Sequence, residues 1–396
     1  MLSPREAKAR ILAACPKSRR ETVALDDAAG RLLARPITAA RALPPADNSA
    51  MDGFAVRAAD TPGELPIAAS IGAGDAPAAP LLPGRAARIM TGAVIPEGAD
   101  AVVIREEADD RGDAVAIARE AKPGAHIRQR GEDVAPGDEV LAAGDLVDAG
   151  AIALCAALGH VSLEVARRPR VAVLSTGDEL VEVGRDPGPG QIVSSNARAL
   201  VAQIREAGGE PIDRGIVGDD PTAIEEAIAA GLDHDVLVTT GGVSVGDRDH
   251  VKAALERAGV DVGFWKVAIK PGKPLVFGTA GETLVFGLPG NPVSSMVAFE
   301  LFVRPALRAM QGARVTERPR APVVLAKAYR KSAGRTHYAR ARLRRRGAIL
   351  EATIDAKQGS GMLSSMVGVD ALVELDADAG DAPAGSEWPA LLLRTR

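Results

Sequence analysis

Short apolar runs alternate with amphipathic stretches between residues 169 and 312. The apolar runs resemble strands buried on both faces of a sheet, and they lie within residues 170–180, 215–220, 236–238 and 284–288. Helical spacing with start and stop signals separates them, at residues 196–207, 221–230, 247–258 and 292–310. This alternation predicts a mostly parallel sheet covered by helices on both faces.

The first residues of the chain carry helix signals. Ser3 is a good N-cap, Pro4 suits the first helical position, and Glu6 completes a capping box. These signals predict a helix over residues 4–14. A second helix is predicted over residues 25–34, before a proline that would end it.

Two other regions have the short, turn-separated runs of β structure. Residues 66–140 indicate a small separate β domain. Helical spacing returns at residues 149–158, and we expect this helix to pack with the N-terminal helices, which makes the β domain an insertion. After Gly312 further short strands suit a small β-barrel or sandwich.

Composition and charge narrow the class of protein. The chain has 396 residues, of which 46% are hydrophobic, as in a globular protein of several domains. A net charge of -4 and only 3% aromatic residues argue against nucleic-acid or membrane binding. Cys15 and Cys155 are too few for a disulfide framework or a cysteine zinc site. The charged N-terminus and the lack of a membrane-length apolar run predict a cytoplasmic protein.

Charged side chains gather at the predicted strand ends of residues 169–312. They are Glu179, Asp219, Asp247, Asp249, Lys266, Lys270 and Lys273. In an open α/β sheet, ligands bind at the carboxyl ends of the strands. Mg²⁺ binds through one or two carboxylates plus substrate phosphates, and lysines suit an oxyanion. These residues therefore predict a phosphate-bearing small molecule handled with Mg²⁺.

Several of these features also have a purely structural interpretation. Gly241 and Gly242 would let backbone N–H groups approach a ligand, or they would only form a tight turn between strand and helix. Asp52, in an irregular segment, could simply cap a turn. Arg335 and Arg340 lie in a basic stretch. Arginines on the solvent-exposed faces of strands would be enough to explain this stretch, because arginine is mostly exposed.

Two nucleotide-binding signatures and one zinc-binding signature are absent from the sequence. It contains no G-x-G-x-x-G after a strand and no G-x-x-x-x-G-K-[ST], which disfavours a standard dinucleotide fold and a P-loop. It also contains no H-E-x-x-H motif. The strand-end carboxylates and lysines therefore remain the main candidates for chemistry.

Seven motifs together resemble one family, the molybdopterin molybdenumtransferases (MoeA and the gephyrin E-domain). In chain order they are PPADNSAMDGFAV, IMTGAVIPEGADAVV, IRQRGEDV, VAVLSTGDEL, TTGGVSVGDRD, FWKVAIKPGKP and GLPGNPVSS. The later segment QGSGMLSSM resembles the last family domain. The resemblance implies an enzyme that uses Mg²⁺ to insert molybdate into adenylyl-molybdopterin, releasing AMP and giving the molybdenum cofactor.

The resemblance also implies a multidomain α/β plus β fold and an elongated homodimer. The implied domains are a discontinuous N-terminal helical and linker domain at residues 1–42 and 141–168, an inserted β domain at 43–140, a three-layer α/β/α molybdopterin-binding domain at 169–312 and a C-terminal β-barrel at 313–396.

The functional residues of the family match positions in this chain. Catalytic roles are implied for Asp52, Glu179, Asp219, Asp249, Lys266 and Lys270, with Asp219 and Asp249 as Mg²⁺ ligands. Substrate contacts are implied for Thr91, Asp133, Gly241, Gly242, Ser244, Lys273, Pro289, Asn291, Arg340 and Ser360. Site residues of the first, second and fourth domains are expected to meet the α/β cleft across the dimer interface. Asp247 is a mild departure, since a glutamate is usual there.

Two other functions compete with this interpretation. A molybdopterin adenylyltransferase would resemble residues 169–312 alone, and the additional regions argue against it. A noncatalytic gephyrin-like scaffold would not need the full set of carboxylates and lysines. Other proteins of molybdenum-cofactor biosynthesis are possible partners.

Overall fold

The computed structural model describes residues 1–242 and 250–394. Three six-stranded β assemblies organise this part of the chain, and four strand pairs of two strands each supplement them. Within these two ranges, no helix has both the length and the apolar character needed to span a bilayer.

The chain begins with helix α1 (Pro4–Ala13), followed by strand β1 (Arg20–Ala24). The predicted capping box is present: Ser3 Oγ accepts from the Glu6 N–H, and the Ser3 N–H donates to the Glu6 carboxylate at 2.8 Å. Helix α1 buries Ile11 in the core of the α/β region further along the chain.

The helix predicted over residues 25–34 is wrong. The chain makes only one 3₁₀ turn, Leu25–Asp27. Gly30 then adopts a left-handed conformation, with φ +76°, which ends helices. Leu32 and Leu33 are both buried and bridge to different segments. The segment is therefore covered by two different neighbours, and its consecutive buried apolar residues were mistaken for part of a helix.

An inserted β structure follows β2 (Ile37–Thr38). Its strands are β3 (Asn48–Ser49), β4 (Gly53–Val56), β5 (Gly63–Ile71), β6 (Ala86–Ile89), β7 (Ala101–Ile104), β8 (Ala108–Asp110), β9 (Ala114–Ile117) and β10 (Ile127–Arg128). Six of them form a sheet in the order β7-β4-β6-β5-β9-β8, and Phe54 and Val115 lie in its core. The short runs predicted as strands therefore form strands.

The chain then returns through β11 (Glu139–Leu141), α2 (Ala149–Ala157) and β12 (Ser162–Ala166). Strand β11 pairs with β2 and β12 pairs with β1, both antiparallel. Cys155 of α2 is buried in a core that these segments share. Helix α1 is not part of that core, so the expectation that α2 packs with it is wrong.

The next region contains the predicted alternation of strands and helices. Its elements are β13 (Arg170–Thr176), β14 (Leu180–Val181), β15 (Ile192–Val193), α3 (Asn196–Glu206), β16 (Glu210–Val217), α4 (Pro221–Gly231), β17 (Val236–Thr240), α5 (His250–Arg257), β18 (Asp261–Lys266), β19 (Ile269–Lys270), β20 (Pro274–Ala280), β21 (Thr283–Leu288), α6 (Pro292–Ala298) and α7 (Arg304–Met310). A π-helical segment, Phe299–Val303, joins α6 to α7.

Six of these strands form one sheet in the order β16-β13-β17-β21-β20-β18. The first four are parallel, and the pairings to β20 and β18 are antiparallel. Alternate residues of β13 enter different cores: Val173 packs with α3, α6 and α7, whereas Leu174 packs with α4 and α5. The predicted sheet with two covered faces is confirmed.

The C-terminal strands close into a barrel. They are β22 (Arg320–Leu325), β23 (Thr336–Arg346), β24 (Ile349–Ile354), β25 (Ala371–Leu375) and β26 (Glu387–Leu392). The order β23-β24-β22-β26-β25 is completed by the pairing of β25 with β23. Strand β19 adds to β23 from outside, in parallel. This pairing fixes the barrel against the lysine-rich turn of the α/β region.

Candidate functional site

The carboxyl ends of β13, β17 and β21 meet at one edge of the sheet because the three strands are parallel. The loops that follow them contribute Glu179, Gly241 and Asn291 to the wall of a cavity of about 390 Å³. This volume is in the range of small-molecule sites. Gly361 of the barrel region lines the same cavity.

The two glycines after β17 are needed for close packing. Gly241 has φ +97°, and a Cβ there would collide with the carbonyl oxygen of Thr176. Gly242 has φ +60°, and its Cβ would overlap Val251 of α5. Close packing alone therefore explains why glycine occupies both positions. Since Gly241 also lines the cavity, tight packing leaves its backbone beside any ligand there.

Asn196 connects the strand ends to helix α3. Its Nδ2 donates to Thr240 Oγ1 at 2.9 Å and to the Gly290 carbonyl at 2.8 Å. The Thr240 hydroxyl lies 3.4 Å from the carbonyl of Pro289, another predicted site residue. Sequence reasoning treated Asn196 only as the start of a helix. The polar run Ser194-Ser195-Asn196 was the available signal for its role.

The predicted acidic residues occupy neighbouring loops. Asp178 Oδ1 accepts a hydrogen bond from the Asp219 N–H at 2.9 Å, which joins the loops after β13 and β16. Glu179 is exposed, and its carboxylate folds over Gly177. Within the described residues, no three Asp, Glu, His or Cys side chains are grouped to hold a metal ion.

Three residues singled out in the sequence follow Gly242 in the chain. Ser244, Asp247 and Asp249 lie outside the described residues. The assignment of Asp219 and Asp249 as a pair of Mg²⁺ ligands therefore stays a prediction.

The lysine-rich turn lies between helix α6 and the barrel. Lys266 ends β18, and Lys270 in β19 pairs with His337 of the barrel. Gly272, at φ +105°, would place a Cβ 3.5 Å from the Ser294 carbonyl of α6. The Val267 N–H donates to the Lys273 carbonyl at 3.1 Å and closes the turn. The turn is held by backbone contacts while Lys270 and Lys273 are exposed.

The barrel region reaches the cavity within the same chain. The Val293 N–H at the start of α6 donates to the Ser360 carbonyl at 3.1 Å. Arg340 is fully buried, and its Nη2 donates to the carbonyls of Lys357 and Gly359 at 2.8 and 3.2 Å. Burial lowers the pKa of this guanidinium. Arg340 thus holds the loop that carries Ser360.

These contacts correct two expectations. The Ser360 contact with the α/β region is made within one chain, so it does not need a dimer interface. The prediction that the arginines of this stretch lie on solvent-exposed strand faces is wrong for Arg340, which has 0% exposure. Arg342 and Arg344 on the same strand are exposed.

Asp52 and Thr91 form a second, separate cluster in the inserted β region. The Thr91 N–H and Oγ1 donate to Asp52 Oδ1 at 2.7 and 2.9 Å. These hydrogen bonds, the backbone one first, lower the pKa of the Asp52 carboxyl. Asp133 is exposed, and its N–H donates to the Leu43 carbonyl. None of these three site residues lines the cavity at the sheet edge of the same chain, as far as the described residues show.

Family models match three consecutive parts of the chain. The "MoeA N-terminal region (domain I and II)" matches residues 2–159, the "Probable molybdopterin binding domain" matches residues 172–309, and the "MoeA C-terminal region (domain IV)" matches residues 322–393. Together these three matches cover most of the chain.

Whole-chain relatives agree with these matches. The chain is 41% identical over 395 residues to molybdopterin molybdenumtransferase 2 of Mycobacterium tuberculosis, covering 96% of each. It is 38% identical over 394 residues to the molybdopterin molybdenumtransferase of Haemophilus influenzae, covering 97% of each. The crystal structure of the molybdopterin biosynthesis protein MoeA from Pyrococcus horikoshii matches at a TM-score of 0.87 and 31% identity, covering 99% of this chain and 100% of that one. The predicted multidomain fold is confirmed, and the chain belongs to the molybdopterin molybdenumtransferase (MoeA) family of enzymes.

Proposed function

We propose that this enzyme inserts molybdate into adenylyl-molybdopterin with the help of Mg²⁺, releasing AMP and giving the molybdenum cofactor. The observation that carries the proposal is the convergence of the glycine loop, the lysine-rich turn and the barrel loop around one helix, α6, at the carboxyl edge of the sheet. A phosphate-bearing substrate and an oxyanion both suit such an edge.

Charge neutralisation is the main task of such a site. Molybdate and the phosphates of the substrate are both anionic, so they repel each other unless positive groups lie between them. Lys266 and Lys270 supply these groups, and they act by positioning and electrostatic stabilisation. They need no proton transfer in this role.

The two thiols of the chain are unsuited to bind molybdenum. Burial raises the pKa of Cys15 to about 11, and burial also raises the pKa of Cys155. Both thiols therefore stay protonated at neutral pH, whereas metals bind the thiolate. In the proposed reaction the dithiolene of molybdopterin supplies the sulfur ligands.

Mg²⁺ suits the carboxylates predicted for the sheet edge. It is usually held by one or two carboxylates and completes its shell with water and substrate phosphates. Asp219 is half-buried at this edge and would hold the ion together with Asp249. Bound there, Mg²⁺ would neutralise phosphate charge and polarise the phosphoanhydride.

The proposal includes a homodimer in the cytoplasm. Asp52 and Thr91 are exposed and lie outside the cavity of their own chain. In a homodimer, this pair in one subunit would face the cavity of the other subunit. Asp133 would reach the substrate by the same route.

Product analysis tests the function directly. Purified protein is incubated with adenylyl-molybdopterin, molybdate and Mg²⁺, and AMP is measured by chromatography. We expect AMP to form only when molybdate is present, together with a product that activates a molybdenum-dependent apoenzyme. Consumption of ATP with free molybdopterin, without molybdate-dependent AMP release, would instead identify an adenylyltransferase.

A further inference from the structure

The cavity at the sheet edge has two apolar walls. One is formed by β14 and β15, where Ile192 is 56% exposed although it lines the cavity. The other comes from the 3₁₀ turn Leu363–Met366 of the barrel region, where Leu363 is 38% exposed and lines the same cavity. Large aliphatic side chains left exposed at a cavity commonly mark a surface that a ligand covers.

The remaining wall is polar and carries unused hydrogen-bonding capacity. Thr176 Oγ1 is buried and has no hydrogen-bond partner among the described residues. Asn291 precedes α6 at the N-cap position, but its side chain makes no capping hydrogen bond. Both residues line the cavity. A buried hydroxyl without a partner costs free energy unless a ligand or water satisfies it.

The two apolar side chains are not needed to hold their own segments. The turn that carries Leu363 is anchored by Ser365, which is buried and donates to the Met362 carbonyl at 2.6 Å. Ile192 is held by its backbone, because its N–H donates to the Glu179 carbonyl at 2.7 Å. Both side chains therefore remain available to contact a ligand in the cavity.

We infer that Ile192 and Leu363 form an apolar clamp that holds a flat nitrogen heterocycle of the substrate between them, with its polar edge toward Thr176 and Asn291. Aliphatic groups on two sides and hydrogen-bonding groups at the base match the faces and the edge of such a ring. The inference rests on the proposed function, whose substrate contains two such rings, a purine and a pterin.

The clamp makes substrate binding depend on the barrel. Leu363 belongs to the C-terminal region, and its turn contacts α6. A protein that had only the α/β region would keep Ile192 and the polar wall but would lack Leu363. The barrel would thus select the ring as well as support the loop of Ser360.

Binding measurements on the full chain test the clamp. The variants are Ile192→Ala and Leu363→Ala, and the ligands are AMP, a reduced pterin and inorganic pyrophosphate, which has no ring. We expect each variant to bind the clamped ring about tenfold more weakly, or ~1.4 kcal/mol, and to bind pyrophosphate unchanged. Loss for AMP alone assigns the purine to the clamp, and loss for the pterin alone assigns the pterin.

Matched controls separate the clamp from a general loss of structure. Val183→Ala and Val367→Ala truncate side chains that are 57% and 72% exposed near the same two segments, and they should bind like the wild type. Ile192→Val and Leu363→Met should restore most of the affinity. Wild-type affinity for both rings in the two alanine variants would overturn the clamp while leaving the proposed function intact. Failure of the wild-type protein to bind either ring would overturn both.

Discussion

Thr91 lowers the pKa of the Asp52 carboxyl by donating two hydrogen bonds to one carboxylate oxygen. Charged hydrogen bonds of this kind favour the deprotonated form. In Thr91→Val the hydroxyl donor is lost and the backbone donor remains, so the pKa of Asp52 should rise. A ¹³C NMR titration of the carboxyl group measures the change. Thr91→Ser keeps both donors and should leave the titration as in the wild type.

Lys270 offers a direct test of electrostatic stabilisation. Its side chain is exposed and its backbone is fixed by pairing with the barrel, so Lys270→Ala should fold normally. Loss of one charge that faces a developing anion costs about 100-fold in rate. Molybdate-dependent AMP release measures this loss. Lys327→Ala removes another exposed lysine and serves as the control, and equal rates in the two variants would contradict the role of Lys270.

His337 makes stability depend on pH. Burial, and then the nearby charge of Lys270, lower its pKa from 6.5 to about 3, so the folded protein keeps the ring neutral. Below pH 6.5 the unfolded chain binds a proton that the folded chain does not. The free energy of unfolding should therefore fall by about 1.4 kcal/mol per pH unit as the pH drops toward the folded pKa.

Urea unfolding of His337→Gln at several pH values between about 7 and about 4 tests this dependence. The variant should lose much of the slope, because the group that titrates is gone. His126→Asn changes an exposed histidine and should keep the wild-type slope. Parallel curves for the wild type and His337→Gln would show that this ring does not control the pH response.

At the scale of single elements, the glycine loop combines packing and ligand access. Gly242 and Gly259 flank helix α5, and both have left-handed φ angles, +60° and +80°. A Cβ at Gly242 would also overlap Val251, whereas a Cβ at Gly259 meets open space. Gly259→Ala should cost about 1 kcal/mol for the backbone conformation alone.

Gly242→Ala should cost about 1–3 kcal/mol more than Gly259→Ala because of the overlap with α5. The urea midpoint of unfolding measures both variants under the same conditions. Equal midpoints would mean that the loop moves to accept the added methyl group, and the close-packing interpretation would then be wrong.

Sequence patterns predicted those elements in which the spacing of buried residues follows the regular repeat of a strand or a helix. Val173 and Leu174 enter opposite cores, which is the property that makes an all-apolar strand recognisable. Leu32 and Leu33 are likewise two consecutive buried residues, but they lie in an irregular segment, and there the pattern was mistaken for a helix. Site residues that follow strands were found because topology brings strand ends together. Asn196 and Leu363 were missed as cavity residues because their roles depend on tertiary contacts.

At the scale of the whole molecule, Arg318 connects the barrel to the α/β region. Its Nε donates to Glu300 in the π-helical segment at 2.8 Å, its Nη1 to the Leu393 carbonyl at 3.1 Å, and its Nη2 to Glu206 at 2.7 Å. Glu300 is 5% exposed, and its carboxylate also accepts from Gln203 Nε2 at 3.0 Å and lies 4.0 Å from Arg304. The pair of Arg318 and Glu300 is largely buried, so we expect it to contribute strongly to the connection between the two regions.

Removing one member of this pair should weaken the connection. Arg318→Met leaves Glu300 poorly compensated and should cost about 3–5 kcal/mol. In calorimetry we expect unfolding of the barrel to separate from that of the α/β region. The double variant Arg318→Met with Glu300→Gln removes both charges and should recover much of the loss. An unchanged single variant would show that the two regions are joined by other contacts.

The closing of the barrel has a consequence for how the enzyme is made. Translation completes the α/β sheet first, whereas Leu363 lies in the barrel, which closes only when β26 pairs with β22 and β25. A nascent or truncated polypeptide therefore exposes a half-built pocket. With the proposed clamp, a chain whose barrel has not yet closed should therefore bind the substrate ring more weakly than the finished protein.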